Sequence, residues 1–262
     1  MASRPFQRCS KAHRGSIARF LEGGLPHALK LLGALEEEPE SIGDFFADDP
    51  GEPSWVVHSR RGWFALCAGP RSTERGEVER ALPALDALAR EVGMEQGELR
   101  LGGVAPAVHA ALARRRPLLR ANACSLYQLD PKEFRPRDAH PTEPLREEDA
   151  LLVASHWPYG DEVGYVLERI RRAPSAAVRE RGSAVSWMIV HGDGSIGSLH
   201  TLESHRGRGL ARSVVSALVR AQLARGRTPY CYVVQGNTPS IRVFESLGFR
   251  RLAEAFWVVA GR

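Results

Sequence analysis

The apolar residues of the C-terminal half change from strand to helix periodicity around one glycine-rich turn. Residues 195–202 are typical of a strand, and residues 210–224 carry apolar side chains at helical spacing on one face. The apolar face consists of Val214, Val215, Leu218, Val219 and Leu223. The turn between these elements is Arg206-Gly207-Arg208-Gly209-Leu210-Ala211. This order of elements predicts a mixed α/β fold with a ligand site at the turn.

The turn predicts a site for phosphate oxygens, because its glycines allow close approach and the helix start presents unpaired N–H groups. A Walker loop is excluded, since Leu210 and Ala211 follow Gly209 where Lys and Ser or Thr are needed. A dinucleotide fingerprint is excluded by Arg212, which stands where a small residue is required. The pattern R-x-x-G-x-A resembles the pyrophosphate turn of the GNAT acyltransferases. The alternative is a glycine-rich helix start without a ligand.

A second segment supports the same resemblance. Residues 229–234 are typical of a strand, and a short helix follows in which Asn237 and Thr238 are candidate caps and Pro239 lies in the first turn. Leu247-Gly248-Phe249 closes this helix, with glycine at the position after the C-cap. The strand, the N-x-x-S helix and the L-G-F closure resemble the second coenzyme A motif of the GNAT superfamily.

The order of the remaining motifs is similar to that of the glycine N-acyltransferase family. His156-Trp157-Pro158-Tyr159-Gly160 is followed by a helical run, and residues 25–33 resemble an early stretch of the same family. The resemblance covers about residue 16 to the end and is dense after Asp149. It implies transfer of an acyl group from coenzyme A to the amine of glycine or a similar amino acid.

The resemblance also implies which residues hold acyl-coenzyme A, which acts as a co-substrate without a metal. The strand backbone meets pantetheine and the acyl carbonyl, the turn holds the pyrophosphate, and the second motif lines the far arm. The implied residues are Leu199, Thr201, Leu202, Arg206, Gly207, Arg208, Gly209, Leu210, Ala211, Asn237 and Ser240.

The general base is where this chain departs from the family pattern. Ser195 stands where many members carry Glu, and Phe244 stands where some superfamily enzymes carry a Tyr acid. Asp193 lies two positions before Ser195 on the same strand face and is one candidate for the general base, acting through a water molecule. The alternative is that Asp193 is a turn residue. His200 and His191 have suitable ordinary pKa values. The strand parity of His200 is opposite to that of Asp193 unless a bulge intervenes.

Three aromatic residues, Trp157, Tyr159 and Trp187, are candidate walls of the acyl or acceptor pocket, or else part of the core. In the first half, a hairpin over 54–67, a helix over 77–91, a strand over 98–101, a helix over 106–116 and a strand over 124–129 are predicted. This half has the element content of a degenerate second GNAT-like copy. The predicted organisation is a basic tail (1–20), an N-terminal α/β domain (21–130), a linker (131–144) and a GNAT domain (145–262).

Composition limits the partners. The 262 residues include 43% hydrophobic and 26% charged residues, and no apolar run approaches the ~20 residues of a membrane span. The net charge is +5, but the basic residues are not concentrated in one block and have no aromatic residues interleaved among them. This distribution argues against a nucleic-acid partner and favours a polyanionic ligand. Four scattered cysteines lack metal-ligand spacing, so we expect reduced thiols.

The first twenty residues carry basic and serine residues and no acid, a composition typical of a mitochondrial targeting segment. A disordered basic tail and a cytoplasmic location are the alternative. The sequence predicts an acyl-coenzyme A:amino acid N-acyltransferase. Two further functions stay open: an acetyltransferase acting on another amine, such as another amino acid or a protein lysine, and a non-catalytic protein that binds acyl-coenzyme A. The oligomeric state is not predicted.

Overall fold

The protein is represented by a computed structural model that describes residues 5–37, 42, 44–69, 76–94, 98–157 and 163–261. Its helices and strands, in chain order, are β1 (Gln7–Arg8), α1 (Arg14–Gly23), α2 (Leu29–Glu37), β2 (Phe45–Ala47), β3 (Trp55–Arg60), β4 (Trp63–Ala68), α3 (Glu77–Glu91), β5 (Glu98–Val104), α4 (Pro106–Arg115), β6 (Leu118–Gln128), α5 (Ala150–Ser155), α6 (Val163–Arg172), β7 (Ser175–Glu180), β8 (Ser183–Val190), β9 (Ile196–Thr201), α7 (Leu210–Ala224), β10 (Tyr230–Val234), α8 (Thr238–Ser246) and β11 (Arg250–Gly261). Among these residues no helix is long and apolar enough to cross a membrane.

The chain divides into two compact units. The first contains Met1–Ser125 and Ala253–Arg262, and the second contains Leu126–Leu252. This division differs from the predicted domain limits, because most of β11 pairs with β5 and so belongs to the first unit. Within the second half, the predicted strand and helix around the glycine turn are confirmed as β9 and α7, and the predicted strand and short helix of the second motif are confirmed as β10 and α8.

The first unit is built on a sheet in which β1, β2, β3, β4, β5 and β11 are successive neighbours. The predicted hairpin is confirmed as β3 and β4, and the predicted helix over 77–91 is confirmed as α3. Pro83, expected in the first turn, instead lies inside α3. The helix continues through it because Leu82, Leu85 and Leu88 are buried in the core of this unit.

Part of the predicted basic tail is structured. The strand β1 pairs with β2, and Ile17 and Leu21 of α1 are fully buried in a hydrophobic cluster with α2. Apolar spacing within this segment therefore places α1 in the folded unit. Residues 1–4 lie outside the described part of the chain.

The second unit is centred on the antiparallel sheet β7-β8-β9. Trp187 and Ile189 of β8 face a cluster formed with α5 and α6, whereas Met188 and Val190 face a cluster formed with α7 and β10. Both faces of β8 are thus covered, which explains its nearly continuous apolar sequence. We call the side of Trp187 and Ile189 the α5–α6 face.

The segment predicted as a linker lies against α7 within the second unit. The Arg137 amide donates to Ser216 Oγ (2.9 Å), and the His140 amide donates to Ser213 Oγ (3.2 Å). Asp138 also forms an ion pair with Arg220. These contacts follow one side of the helix, since residues three apart on a helix are neighbours.

A buried ion pair joins β7 to the segment before α5. The Arg179 guanidinium donates two hydrogen bonds to Asp149, and both side chains are less than a tenth exposed. Burial alone would raise the pKa of Asp149, but the hydrogen bonds from Arg179 and from the Arg146 amide outweigh it and lower that pKa.

Candidate functional site

The strands β9 and β10 begin side by side but belong to different sheets. Tyr230 at the start of β10 donates its hydroxyl hydrogen to the Asp193 carbonyl just before β9. Along the described strands β9 is an edge of the three-stranded sheet, and β10 is an edge beside β6. Edge strands present backbone donors and acceptors that a ligand can pair with. We call the separation between these two edges the β9–β10 gap.

A bulge interrupts β9 at the β9–β10 gap. Gly197 pairs with Ile189 and His200 pairs with Trp187, so Ser198 and Leu199 together oppose a single residue of β8. Ser198 has a left-handed backbone (φ 52°), as the first residue of one class of bulge does. The bulge frees backbone groups of Ser198 and Leu199 from the ladder, where they can meet a ligand carbonyl.

The glycine-rich turn connects β9 to α7 as predicted. Gly207 and Gly209 both have left-handed backbones (φ 78° and 85°), which glycine adopts without strain. A Cβ at Gly207 would meet no atom within 4 Å, so the space beside it is open. The turn therefore combines a concave, accessible backbone with the amides that begin α7, which is the arrangement that binds phosphate oxygens.

The arginines of the turn have protein partners. Arg208 forms an ion pair with Glu180 of β7, and its hydrogen bond lowers the pKa of that carboxyl. Arg206 donates to the Thr201 carbonyl (3.2 Å), and Arg212 donates to Ser246 Oγ of α8 (3.2 Å). The exposed pair of Arg208 and Glu180 costs little to exchange for a phosphate, since surface pairs contribute little stability.

The strand and short helix of the second predicted coenzyme A motif form as the sequence predicted. Asn237 caps α8 by accepting a hydrogen bond from the Ser240 amide (3.3 Å), and Pro239 lies in the first turn. Phe244 is buried in the core and stacks edge-on with Phe249. Position 244 therefore offers packing and no proton donor. Leu199, Leu202 and Leu210 contribute side chains to the same hydrophobic cluster.

The bulge places His200 on the α5–α6 face of the sheet. Because Gly197 pairs with Ile189 and His200 with Trp187, all four residues share that face, although 197 and 200 differ in parity. The His200 ring stacks on Trp187 (4.9 Å between centroids) and lies 4.5 Å from the His156 ring. Burial, followed by the positive charges of His156 and Arg206, lowers the pKa of His200. His200 is consequently neutral near pH 7.

The other predicted base, Asp193, forms part of a tight turn. Its Oδ1 accepts hydrogen bonds from both the amide (3.0 Å) and the hydroxyl (2.6 Å) of Ser195. The Gly194 amide closes the turn on the His191 carbonyl (3.0 Å). This is the pattern in which an Asp side chain stabilises a turn. Ser195, at the family's Glu position, is buried and bound within it.

Tyr165, His191 and Trp157 form a second aromatic cluster on the α5–α6 face, which the sequence did not predict. The Tyr165 hydroxyl is hydrogen-bonded to His191 Nδ1 (2.9 Å), and Trp157 packs on both rings. A Cβ on Gly197 would lie 2.5 Å from His191 Nε2, so the ring rests directly on that glycine. Gly197 inside the predicted strand was the one sequence signal of this contact, because a glycine within a strand often marks a close approach by another group. Tyr159 lies outside the described residues.

Two buried polar groups at this site have no hydrogen-bond partner within the described part of the chain. They are Trp187 Nε1 beneath His200 and Ser198 Oγ at the bulge. Buried polar groups are normally paired, so unpaired ones indicate a place where a ligand or solvent supplies the partner. Ser198 Oγ, at the β9–β10 gap, therefore fits a ligand with polar atoms, such as the amide-rich pantetheine arm.

The described residues contain no cluster of His, Cys, Asp or Glu that could hold a metal ion. All four cysteines are free and buried. Burial raises the pKa of the thiols of Cys9 and Cys124 to about 11 and of Cys67 to about 12, and it also raises the pKa of the Cys231 thiol well above its usual range. These thiols are protonated at neutral pH and are poor nucleophiles.

Comparison with known proteins identifies the architecture. Residues 176–258 match the family model of FR47-like proteins. The solved structure of a Drosophila protein is similar over 98% of both chains, with 18% identity and a TM-score of 0.74. The chain has the GNAT fold. A GCN5-related N-acetyltransferase from Sphaerobacter thermophilus covers 98% of this chain and 94% of its own, with 14% identity and a TM-score of 0.62.

The likeness to GNAT structures extends over nearly the whole chain. A tandem GNAT protein from the clavulanic acid biosynthesis pathway covers 98% of this chain and 97% of its own, with 15% identity and a TM-score of 0.60. The predicted fold class is confirmed, and the tandem protein agrees with the expectation of a second GNAT-like copy in the N-terminal half. A search of curated protein sequences gives no match.

Proposed function

We propose that this protein transfers an acyl group from coenzyme A to a primary amine, with glycine or a similar amino acid as the acceptor. The observation that carries the proposal is the β9–β10 gap, with the bulge at Ser198 on one side and the glycine turn at its end. Solved GNAT structures that include N-acetyltransferases share this fold, which supports acyl transfer as the reaction.

In this proposal coenzyme A binds along the β9–β10 gap. The amides of Gly207 to Ala211 hold the pyrophosphate, and the backbone from Leu199 to Leu202 pairs with pantetheine. Asn237 and Ser240 border the far arm. The freed backbone N–H groups of the bulge are placed to meet the carbonyl oxygen of the thioester as negative charge develops on it.

The attacking group is a neutral amine, so a base has to remove a proton from the ammonium form. We assign this role to His200, because the bulge turns it onto the α5–α6 face and its lowered pKa keeps it neutral. Asp193 is the alternative, although its carboxylate already accepts two hydrogen bonds from Ser195. Phe244 has no proton to give, so solvent protonates the departing thiolate.

The amino-acid acceptor is supported by the resemblance of residues 156–160 and 25–33 to glycine N-acyltransferases and by local charge. The two charged groups that act on His200 are His156 and Arg206, both cationic when charged. Such surroundings favour an acceptor that carries its own carboxylate over a polyamine or a lysine side chain. We also propose a mitochondrial location from the basic, acid-free composition of residues 1–20, with β1 and α1 of that segment retained in the folded unit.

The test measures release of free thiol from acetyl-, benzoyl- and medium-chain acyl-coenzyme A, with glycine, with other amino acids, and with a lysine peptide. Glycine-dependent release, with the N-acyl product identified by mass spectrometry, supports the proposal. Release only with the lysine peptide contradicts the amino-acid acceptor and retains acyl transfer.

A non-catalytic acyl-coenzyme A-binding protein is the second candidate. The observation favouring it is that both family positions for proton transfer are occupied by inert groups: Ser195 is bound in a turn, and Phe244 is in the core. Binding of coenzyme A by calorimetry without thiol release for any acceptor would establish this candidate. Absence of binding would contradict both candidates.

A further inference from the structure

The phosphate turn is held by a residue from outside the two coenzyme A motifs. His140 Nε2 lies 2.8 Å from the Arg208 carbonyl oxygen. Because a carbonyl oxygen can only accept, Nε2 carries the hydrogen and donates it. The same nitrogen is 3.9 Å from where a Cβ of Gly209 would lie, so the imidazole stands directly beside the peptide that joins Arg208 to Gly209.

This hydrogen bond fixes the orientation of that peptide. In a planar trans peptide the C=O and the following N–H point in opposite directions. With the Arg208 carbonyl directed at His140, the Gly209 N–H points away from His140. A peptide beside left-handed glycines turns over easily without such a contact, because glycine populates both signs of φ about equally.

His140 is itself fixed to the helix that follows the turn. Its amide donates to Ser213 Oγ (3.2 Å), and the nearby Arg137 amide donates to Ser216 Oγ (2.9 Å). Ser213 and Ser216 are buried on α7 and lie about one turn apart. The imidazole is thus positioned against α7, whose first amides form the rest of the phosphate site.

We propose that His140 is a positioning residue for the cofactor: its Nε2–H holds the Arg208 carbonyl and thereby directs the Gly209 N–H toward the pyrophosphate of coenzyme A. The inference rests on the proposed function, which places the pyrophosphate at this turn. It adds a residue from the segment before α5 to the binding machinery, with a role that acts through the backbone rather than by touching the ligand.

The experiment compares His140→Phe, which removes the donor, with His140→Gln, whose side-chain amide retains an N–H at a similar reach. Dissociation constants are measured by calorimetry for coenzyme A and for acetyl-pantetheine, which lacks the pyrophosphate. We expect the Phe variant to bind coenzyme A about three- to tenfold more weakly, the effect of losing one hydrogen bond. The Gln variant should remain within about twofold of wild type, and acetyl-pantetheine should bind all three proteins equally.

Unchanged coenzyme A affinity in the Phe variant would overturn the proposal. So would equal losses in the Phe and Gln variants, which would show that the donor is irrelevant, or an equal loss for acetyl-pantetheine, which would show a general disturbance of the site. Failure of the proposed function gives a different result: a wild type that binds both compounds but transfers no acyl group would contradict the transferase and leave this comparison valid, whereas a wild type that binds neither compound would overturn both the cofactor site and the role of His140.

Discussion

Replacing Gly197 by alanine tests whether the α5–α6 face is built as described. The new Cβ would lie 2.5 Å from His191 Nε2 and 2.7 Å from Cδ2, whereas ordinary contacts begin at 3.4 Å. The ring must therefore move by about 1 Å. Gly197 has no left-handed backbone that alanine would strain, so the collision is the main cost.

The magnitude follows from what His191 loses when it moves. Its hydrogen bond with Tyr165 (2.9 Å) and its packing against Trp157 both depend on its present place. A lost hydrogen bond costs about 1 kcal/mol and an overpacked core site about 1–3 kcal/mol, so we expect a total of about 2–4 kcal/mol. Urea unfolding, with the midpoint and slope fitted together, measures it.

A double-mutant cycle isolates the cause. In a His191→Ala background the obstruction is gone, and Gly197→Ala should then change the free energy of unfolding by less than about 1 kcal/mol. Gly164→Ala is the matched control, because that glycine lies in α6 with no atom near its Cβ, and we expect slight stabilisation of up to about 1 kcal/mol. Equal destabilisation by Gly197→Ala in both backgrounds would refute the reasoning.

Three further predictions concern the turn, the base and the ion pair. Gly209→Glu should abolish coenzyme A binding, because it places a side chain and a negative charge in the phosphate site. The control is Gly226→Glu, which introduces similar left-handed strain beyond the other end of α7 and should leave binding unchanged. Retained binding in Gly209→Glu would contradict the phosphate site. His200→Gln should lower kcat/KM by about 10²–10⁴-fold. It should also remove the acidic limb of the pH profile of kcat/KM, which lies below pH 6.5 in wild type. An unchanged pH profile would exclude His200 as the base. Arg179→Met should cost about 3–5 kcal/mol by leaving Asp149 buried without its cation, and Asp149→Asn in the same chain should recover part of it, as measured by urea unfolding.

The same ion pair predicts a pH dependence of stability. The folded state holds the pKa of Asp149 below its ordinary value of 3.8. The stabilisation is therefore complete above that value and is lost as the pH falls toward the folded pKa. Wild type should lose stability over this range more steeply than Arg179→Met, and parallel curves would contradict the assignment.

The local elements could be predicted from the sequence because their causes are local. The bounds of α7 follow from apolar spacing and from the glycine before it, and the cap of α8 follows from Asn237 and Pro239. The turn before α7 required only that Gly207 and Gly209 adopt left-handed backbones. The division into two units was not predictable in this way, because it depends on β11 pairing with a strand far away in the chain.

The face of the sheet on which His200 lies also could not be predicted from alternation alone. Alternation places His200 opposite to Ser195, and the bulge that reverses this result lies at a serine, a residue that rarely adopts a left-handed backbone. Pairing two residues of β9 with one of β8 is a tertiary event with no periodicity of its own.

The bulge distinguishes the surroundings of two predicted bases, His200 and Asp193. It brings His200 onto the face shared by Trp187 and Gly197, where burial lowers the pKa of the imidazole and leaves it neutral near pH 7. Asp193 lies before the bulge, and its carboxylate is held by Ser195 in the turn that begins β9. In the function that we propose, the irregular strand therefore supplies His200 as the base on the face of Ser195, where many glycine N-acyltransferases carry Glu.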